Sequence, residues 1–496
     1  MTIWLLFAPA SVNAAWHTAN SANFNVYGDT DPEKLRKFVE DLERFDALLR
    51  LLMRPVDAAN PNKLTIFVVD DLNISDDTKA RIADTVAGYY RGTIMGSLAV
   101  VPRTIGSGDK TDLNARTVLF HEYAHHFMLQ HFPVAYPTWY VEGFAEMYST
   151  TTFRKDGAAI VGSAAGHRTY ELRMQAAFPL ERMFSTELGK TSDSEFTSFY
   201  ARSWLLTHYL SFGPTRKGQL NDYLNAFAQG EAPEDAARRV FGDIKSLERE
   251  VDNYLTRNRF PMKIISFANV SIPQVDVVRM APAESAMMPL YMHYVQGSNS
   301  KDEVAKFAVA ARKAIARFPG NAMALELLAE SELDAEHFDA ADAANSALLA
   351  LRPTDARAML RTARIAAARQ YAGSFPGGWP AVRKLVVKAN RAAPNDPFPL
   401  SEYFRTFIEN KEAPTKIAID GMWRAIELAP QVDDLRFALA ESLAVSGDRK
   451  DIRTALAPLL NDPHSAETRD RARALLEPRA AATRGDGAGK SETKAK

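Results

Sequence analysis

The chain contains no cysteine. That excludes disulfides, thiolate metal sites and cysteine nucleophiles, and it leaves every cellular compartment open. Neither sign of charge is in excess: 60 basic residues face 61 acidic ones, a net charge of −1. No global field therefore recruits nucleic acid or an anionic membrane surface. Long apolar runs are also missing. The run Ile3-Trp4-Leu5-Leu6-Phe7 is too short to cross a bilayer, and no other segment reaches transmembrane length. What remains is ordinary globular material, 46% apolar and 24% charged, over 496 residues. That length is enough for about three domains.

Against this plain background one stretch stands out, His121-Glu122-Tyr123-Ala124-His125, which reads H-E-x-x-H. On a helix, residues four apart lie on one face, so His121 and His125 can aim two imidazoles at one point. A divalent ion such as zinc accepts imidazole nitrogen at about 2.0–2.1 Å. Glu122 lies roughly 100° round the helix, beside such an ion rather than on it, where it can take a proton from water. Val118, Leu119, Tyr123, Phe127 and Met128 fall at helical spacing. With Asp112 or Asn114 as N-cap and Pro133 and Pro137 beyond the end, the pattern predicts a helix over about Ala115 to His131.

A second helix is predicted around Trp139-Tyr140-Val141-Glu142-Gly143-Phe144-Ala145-Glu146, with sixteen residues separating His125 from Glu142. Glu142 and Glu146 share a face of it. One of them can bind the ion, and the other can hydrogen-bond a ligand histidine from behind. Three protein ligands and an open fourth position describe a catalytic zinc site rather than a structural one.

H-E-x-x-H followed by an E-G-x-A-E helix resembles the gluzincin metallopeptidases. More narrowly, it is similar to the peptidase MA-like bacterial proteins, several of which carry helical repeats after the protease domain. The resemblance implies His121, His125 and Glu142 as Zn2+ ligands, Glu122 as general base and Glu146 as the supporting acid. It also implies a tyrosine that stabilises the oxyanion. Tyr200, 58 residues beyond Glu142 in a strongly helical segment with Arg202 and His208 behind it, is the candidate; the alternative is a half-buried core tyrosine. Val141 stands where the aminopeptidase branch usually has asparagine, so aminopeptidase specificity is not implied. In such proteins a sheet precedes the motif helix, and its edge strand pairs with an extended peptide; the segment around Ser97 is the candidate here. His126, His131 and His167 receive no role. The fold class implied is an α+β zincin-like metallopeptidase domain followed by an all-α, tetratricopeptide-like domain.

In chain order, residues 1–14 read as a signal peptide, with Val12-Asn13-Ala14 offering small residues for cleavage. The alternative is a buried N-terminal strand and a cytoplasmic protein. Residues 15–109 read as the α/β part of the protease domain: a strand at Asn23–Tyr27, a helix opened by Asp31-Pro32-Glu33, a buried strand at Leu64–Val69, and a hairpin or edge strand over Gly88–Arg91 and Ser97–Pro102. Residues 110–260 form the helical catalytic part, closed by one helix running through Val240-Phe241-Gly242 to Leu255. Residues 261–281 are linker-like, with a strand near Ile264–Phe267. From 282 to 478, prolines at 282, 319, 353, 394, 430 and 463 recur every 33 to 41 residues between alanine-rich helix pairs. A period near 34 with a proline closing each unit is a tetratricopeptide signature. Residues 479–496 have no apolar periodicity and read as a disordered tail.

Two functions fit. One is a zinc metallopeptidase acting on a peptide or protein substrate, with a protein partner on the concave face of the repeats. The other is a non-catalytic repeat scaffold with a structural or vestigial zinc site. Glu122 argues against the second, since a structural ion has no use for a base.

Overall fold

The computed structural model describes residues 16–56, 62–69, 89–102, 115–185, 192–257, 259–267, 269–297, 300–446, 448–462 and 465–477. The signal-peptide reading, the N-caps Asp112 and Asn114, and the C-terminal tail fall outside the described residues.

The chain opens on a mixed sheet. Strands β1 (His17–Asn20), β2 (Phe24–Gly28), β3 (Leu64–Val69), β4 (Tyr89–Arg91) and β5 (Leu98–Pro102) join a late strand, which is numbered below, in the order β4-β5-β3-β2-β1 and then that strand. β2, β3 and β5 run parallel; β4 is antiparallel to β5, with Tyr90 opposite Ala99. Helix α1 (Pro32–Met53) connects β2 to β3. It starts as its sequence dictates, with Asp31 accepting from the backbone N–H groups of Glu33 and Lys34 and Pro32 in the first turn.

Side chains alternate between the faces of these strands, and both faces are covered. Phe24, Val26, Leu64, Ile66, Val68, Ala99 and Val101 enter one core with α1 and the motif helix. Phe67, Val69, Leu98 and Val100 enter another. A strand buried on both sides reads as a continuous apolar run, which is why Leu64–Val69 is apolar at five of its six positions.

The motif helix, α2 (Ala115–His131), has the predicted bounds, and α3 (Thr138–Ser149) follows it. A small antiparallel sheet comes next, β6 (Thr152–Phe153) and β7 (Ala159–Val161), then the short helices α4 (Thr169–Met174) and α5 (Leu180–Met183). Helix α6 (Asp193–Phe212) begins with a capping box between Ser192 and Glu195 and packs along α3. After α7 (Gln219–Ala228), the single closing helix expected from the sequence is two: α8 (Pro233–Phe241) and α9 (Ile244–Leu255). Gly242 takes φ +80 between them, and Asp243 caps the second. A left-handed residue cannot continue a helix.

Residues 261–281 do more than connect. β8 (Lys263–Ile265) pairs with β7, and β9 (Asp276–Arg279) pairs with β1 to complete the main sheet. Helix α10 (Pro282–Gln296) then lies on the second face of that sheet, its Met288 and Met292 packed with Phe67 and Val100.

The rest is an array of helix pairs: α10 with α11 (Lys301–Arg317), α12 (Ala322–Asp334) with α13 (Phe338–Leu351), α14 (Ala356–Tyr371) with α15 (Gly378–Ala392), α16 (Pro397–Glu409) with α17 (Lys416–Leu428), and α18 (Asp433–Ser446) with α19 (Arg449–Leu456), closed by α20 (Ala466–Leu476). Each of the prolines 319, 353, 394 and 430 falls just after the second helix of a pair, as the spacing predicts. Among the described residues no helix is long and apolar enough to cross a membrane.

Gly143 decides how closely α3 and α6 approach. A Cβ there would stand 2.1 Å from Thr207 Oγ1 and 2.4 Å from the Ser203 carbonyl oxygen. Both neighbours are fully buried and cannot swing away. Gly143→Ala is expected to destabilise the protein by about 1–3 kcal/mol, despite alanine's better helix propensity. Urea unfolding monitored by circular dichroism checks this.

Candidate metal centre

Two helices carry the centre. α2 runs under the sheet and is tied to α1 by a buried polar network. The Tyr123 hydroxyl donates to Asp46 Oδ1 at 2.7 Å. Asp46 also accepts from Asn23 and Arg50, and Glu43 accepts twice from Asn23. Phe45 stacks on Phe120 at 4.1 Å between centroids. These contacts fix the roll of α2, so that His121 and His125 face α3.

Their Nε2 atoms stand 3.0 Å apart. Glu142 Oε2, from α3, lies 3.4 Å from the first and 3.6 Å from the second. Donors at 2.0–2.1 Å from a tetrahedral ion are about 3.3–3.4 Å from one another. The three atoms form nearly that triangle, and a point about 2 Å from all three lies just off their plane. Two imidazole nitrogens and one carboxylate oxygen are also the donor set of a catalytic zinc site with one position left for water. Among the described residues, His121, His125 and Glu142 are the group whose ligand atoms converge this closely. The residues therefore fit a divalent metal ion.

Electrostatics point the same way. Burial works against a charge on His121, but the hydrogen bond to Glu142 and the charges of Glu146, Glu142 and Glu122 outweigh it and lift the imidazole to about 9. This is a site that calls for positive charge. Glu142 is completely sealed from water, while His121 and His125 keep 14% and 8% of their side chains exposed.

Glu146 sits one turn further along α3, also buried, with Oε1 3.7 Å from His121 Nδ1. It does not join the triangle. Instead it accepts from Arg168 Nη2 at 2.6 Å and from Arg168 Nε at 3.1 Å, and lies 2.9 Å from His167 Nε2. Of the two carboxylates left open by the spacing, then, Glu142 faces the histidine pair and Glu146 backs one of them. His167, given no role from sequence, is part of this support. So is Arg168, which no local pattern singled out; the one visible signal was a His-Arg pair opening a short helix after Gly166.

Tyr200 lies beside His121. Its ring is 6.4 Å from that of His121, and Arg168 lies 5.2 Å from the ring centre. Burial and the charges of Glu142, Glu122 and Glu146 hold its hydroxyl well above the usual tyrosine range, so it remains protonated. Glu122 is half-buried beside His121, and its charge is felt by His121, Tyr200 and Tyr90. Arg202 and His208 serve the fold instead. Arg202 pairs with Asp252 at 2.7 Å, and His208 lies 2.9 Å from both the Tyr254 hydroxyl and the Gly162 carbonyl, burial depressing it to about 4.

The strand after Ser97 is not an edge. β5 lies between β4 and β3, paired on both sides, and the edge on this side of the sheet is β4. Tyr90 of β4 reaches α2, its hydroxyl 2.9 Å from His126 Nδ1. His126, likewise without a role from sequence, is thereby a contact between strand and motif helix.

Comparison with models of known protein families gives no match to this chain, and comparison with curated proteins gives none either.

Two measurements test the assignment. Glu142→Ala is expected to abolish stoichiometric metal binding, whereas Glu146→Ala should weaken it by about 10–100-fold; titration with zinc against a chelator of known affinity gives both numbers. The second concerns acid. Burial would raise Glu146, but Arg168, the His167 hydrogen bond and His121 overcome it and hold the carboxyl at about 2, against an ordinary 4.5. A depressed carboxylate stabilises the fold fully above its unfolded pKa, and the contribution is lost as pH falls from about 4.5 to about 2. Glu146→Gln should therefore flatten the stability-against-pH curve across that window, measured by urea unfolding at a series of pH values.

Proposed function

We propose that the chain is a zinc-dependent metallopeptidase of zincin-like fold that hydrolyses peptide bonds. The observation that carries this reading is the convergence of His121, His125 and Glu142 within one ion's reach, with the acid Glu122 beside it. An ion held by three protein ligands supplies Lewis acidity, polarising a carbonyl and lowering the pKa of water toward ~7. The side chains do the rest. Glu122 accepts a proton from the attacking water and returns it to the leaving amine. Tyr200, kept protonated, donates its hydroxyl hydrogen to the carbonyl oxygen as negative charge develops there. Glu146, fixed by Arg168 and His167, orients His121 through the nitrogen that does not face the centre. The same Arg168 lies against the Tyr200 ring, so one guanidinium steadies both groups.

The substrate is a peptide or protein, the pair-forming helices from α10 onward are tetratricopeptide-like, and the N-terminal apolar run directs export. A purely structural ion would leave Glu122 without a task, which weighs against the scaffold reading.

The test is a comparison of wild type with Glu122→Gln on an unstructured protein substrate, with bound zinc measured in both. Equal zinc and a rate loss of ~10²-fold or more in the variant is expected. Equal rates, or no cleavage by zinc-loaded wild type, would return the chain to the scaffold class.

A further inference from the structure

The turn between β4 and β5 does not end in solvent. Residues Gly92 to Ser97 project into the concave side of the helix-pair array. The turn is tight: Gly96 N–H donates to the Thr93 carbonyl at 3.0 Å, Thr93 Oγ1 donates to the Gly96 carbonyl at 2.6 Å, and Gly96 takes φ +120. Its apex is gripped from several repeats at once. The Tyr294 hydroxyl of α10 donates to Met95 Sδ at 3.5 Å, and Arg357 of α14 reaches the Met95 carbonyl at 3.5 Å. Ile94 packs against the core that Phe404, Met422 and Leu439 share. Arg91, at the base of the turn, donates to the Gln296 carbonyl at the end of α10. Cavities of about 190 and 220 Å³ flank the turn, both lined by Thr93, Met95, Tyr294, Glu330, Arg364 and Phe398.

The chemistry of the groove suits this occupant. Glu330 bridges Arg361 at 2.8 Å and Arg364 at 2.7 Å, and Arg357 pairs with Asp396 at 2.6 Å. The arginines that face the turn are thus neutralised by the array's own acids. Gly92-Thr93-Ile94-Met95-Gly96-Ser97 carries no charge. A neutral, apolar-tipped turn adds no charge beside arginines that are already paired, and so leaves none of the three uncompensated.

A second contact sits at the far end of the array. A Cβ on Gly92 would lie 2.4 Å from the Gln431 carbonyl oxygen. Gln431, in the turn before α18, donates to Gln130 Oε1 at 3.0 Å and lies 3.4 Å from the His126 carbonyl on α2. Thr138, which opens α3, donates to the Asn461 carbonyl at 3.1 Å. The array therefore holds the turn from inside and touches both helices of the metal centre from outside.

We propose that the concave face of the helix-pair array is a binding site whose ligand is this chain's own Gly92–Ser97 turn, and that by holding the turn it sets β4 against the motif helix. A partner expected on that face would have to displace the turn. The inference does not rest on the peptidase reading, because its test needs no activity.

Gly92→Val in the full-length chain tests it. The backbone at Gly92 is not left-handed, and the atoms nearest an added Cβ all belong to Gln431. Hydrogen exchange read by mass spectrometry is expected to speed up by tenfold or more over residues 89–102 and, reciprocally, over residues 290–297 and 357–364 on the concave face. Ile94→Asp, which puts a charge into the neutral groove without touching Gln431, should give the same pattern and decides the matter if the valine variant fails to fold. A fluorescent peptide of residues 89–98 should bind Ile94→Asp at least tenfold more tightly than wild type, whose groove is filled. Faster exchange confined to residues 90–94, with the concave face as protected as in wild type, would overturn the proposal. So would equal peptide affinity for both proteins.

Discussion

Two carboxylates one turn apart on α3, both sealed from water, are the constraint around which this structure is arranged. A buried charge left uncompensated costs several kcal/mol. Glu146 is answered by a guanidinium and an imidazole from the segment after the small sheet. Glu142 is answered by the two imidazoles of α2. The two solutions differ in kind. Arg168 brings a permanent charge, so the Glu146 side is complete with protein atoms alone. On the Glu142 side the compensation depends on what joins two nitrogens whose lone pairs point at the same spot, and that is where a divalent cation is the chemically apt third party. A glycine between the two acids lets α3 press into α6 and brings both carboxylates to this depth.

The helix-pair array belongs to the same physical unit as the sheet. β9 completes the sheet from the segment that leads into the array, and α10 covers the face that α1 and α2 leave bare. Trp16, Phe67, Val69, Leu98, Val100, Met280, Met288 and Met292 are buried in that layer. At about 1.5–3 kcal/mol for each side chain removed from water, they contribute roughly 12–24 kcal/mol, at least as much as the net stability of a typical domain. Taking the array away from the sheet would forfeit that, so two independently moving modules are not an economical description.

What could be read from the sequence was local. The apolar stripe of α2, the E-G-x-A-E face of α3, the cap of α1 and the proline-punctuated helix pairs are all statements about spacing within about forty residues, and each element lies where its pattern put it. Tyr200 was a looser inference, and its ring does stand beside His121. What could not be read was which surfaces meet. Nothing near Asp276 announces that it will pair with Asn20, 256 residues earlier. Nothing near Thr93 announces a groove built from four helix pairs. Tyr123 fell on the apolar stripe and is buried as expected, yet its hydroxyl has a partner on α1 that only the packed structure reveals. Arg202 and His208 were read as standing behind Tyr200, but Arg202 lies about 200° round α6 from it and pairs with Asp252, and His208, more than two turns on, meets Tyr254 and Gly162.

These long-range contacts matter because of how little tolerance a metal-ligand triangle has. The donor atoms of His121 and His125 stand about 6 Å from the axis of α2, so a roll of only 10° would carry them about 1 Å, half a metal–ligand bond. A single anchor leaves that roll open. Here three anchors fall at i, i+3 and i+7, on the face of α2 opposite the ligand pair: Tyr123 to α1, His126 to β4, and Gln130 to the far end of the array. They grip that face from three separate elements while the ligand face is turned to α3. The last two anchors both run through the array, one directly through Gln431 and the other through the turn that the concave face grips. The helix pairs thus bear on the geometry of the histidine–glutamate triangle without contributing an atom to it, and its preorganisation is supplied by folding.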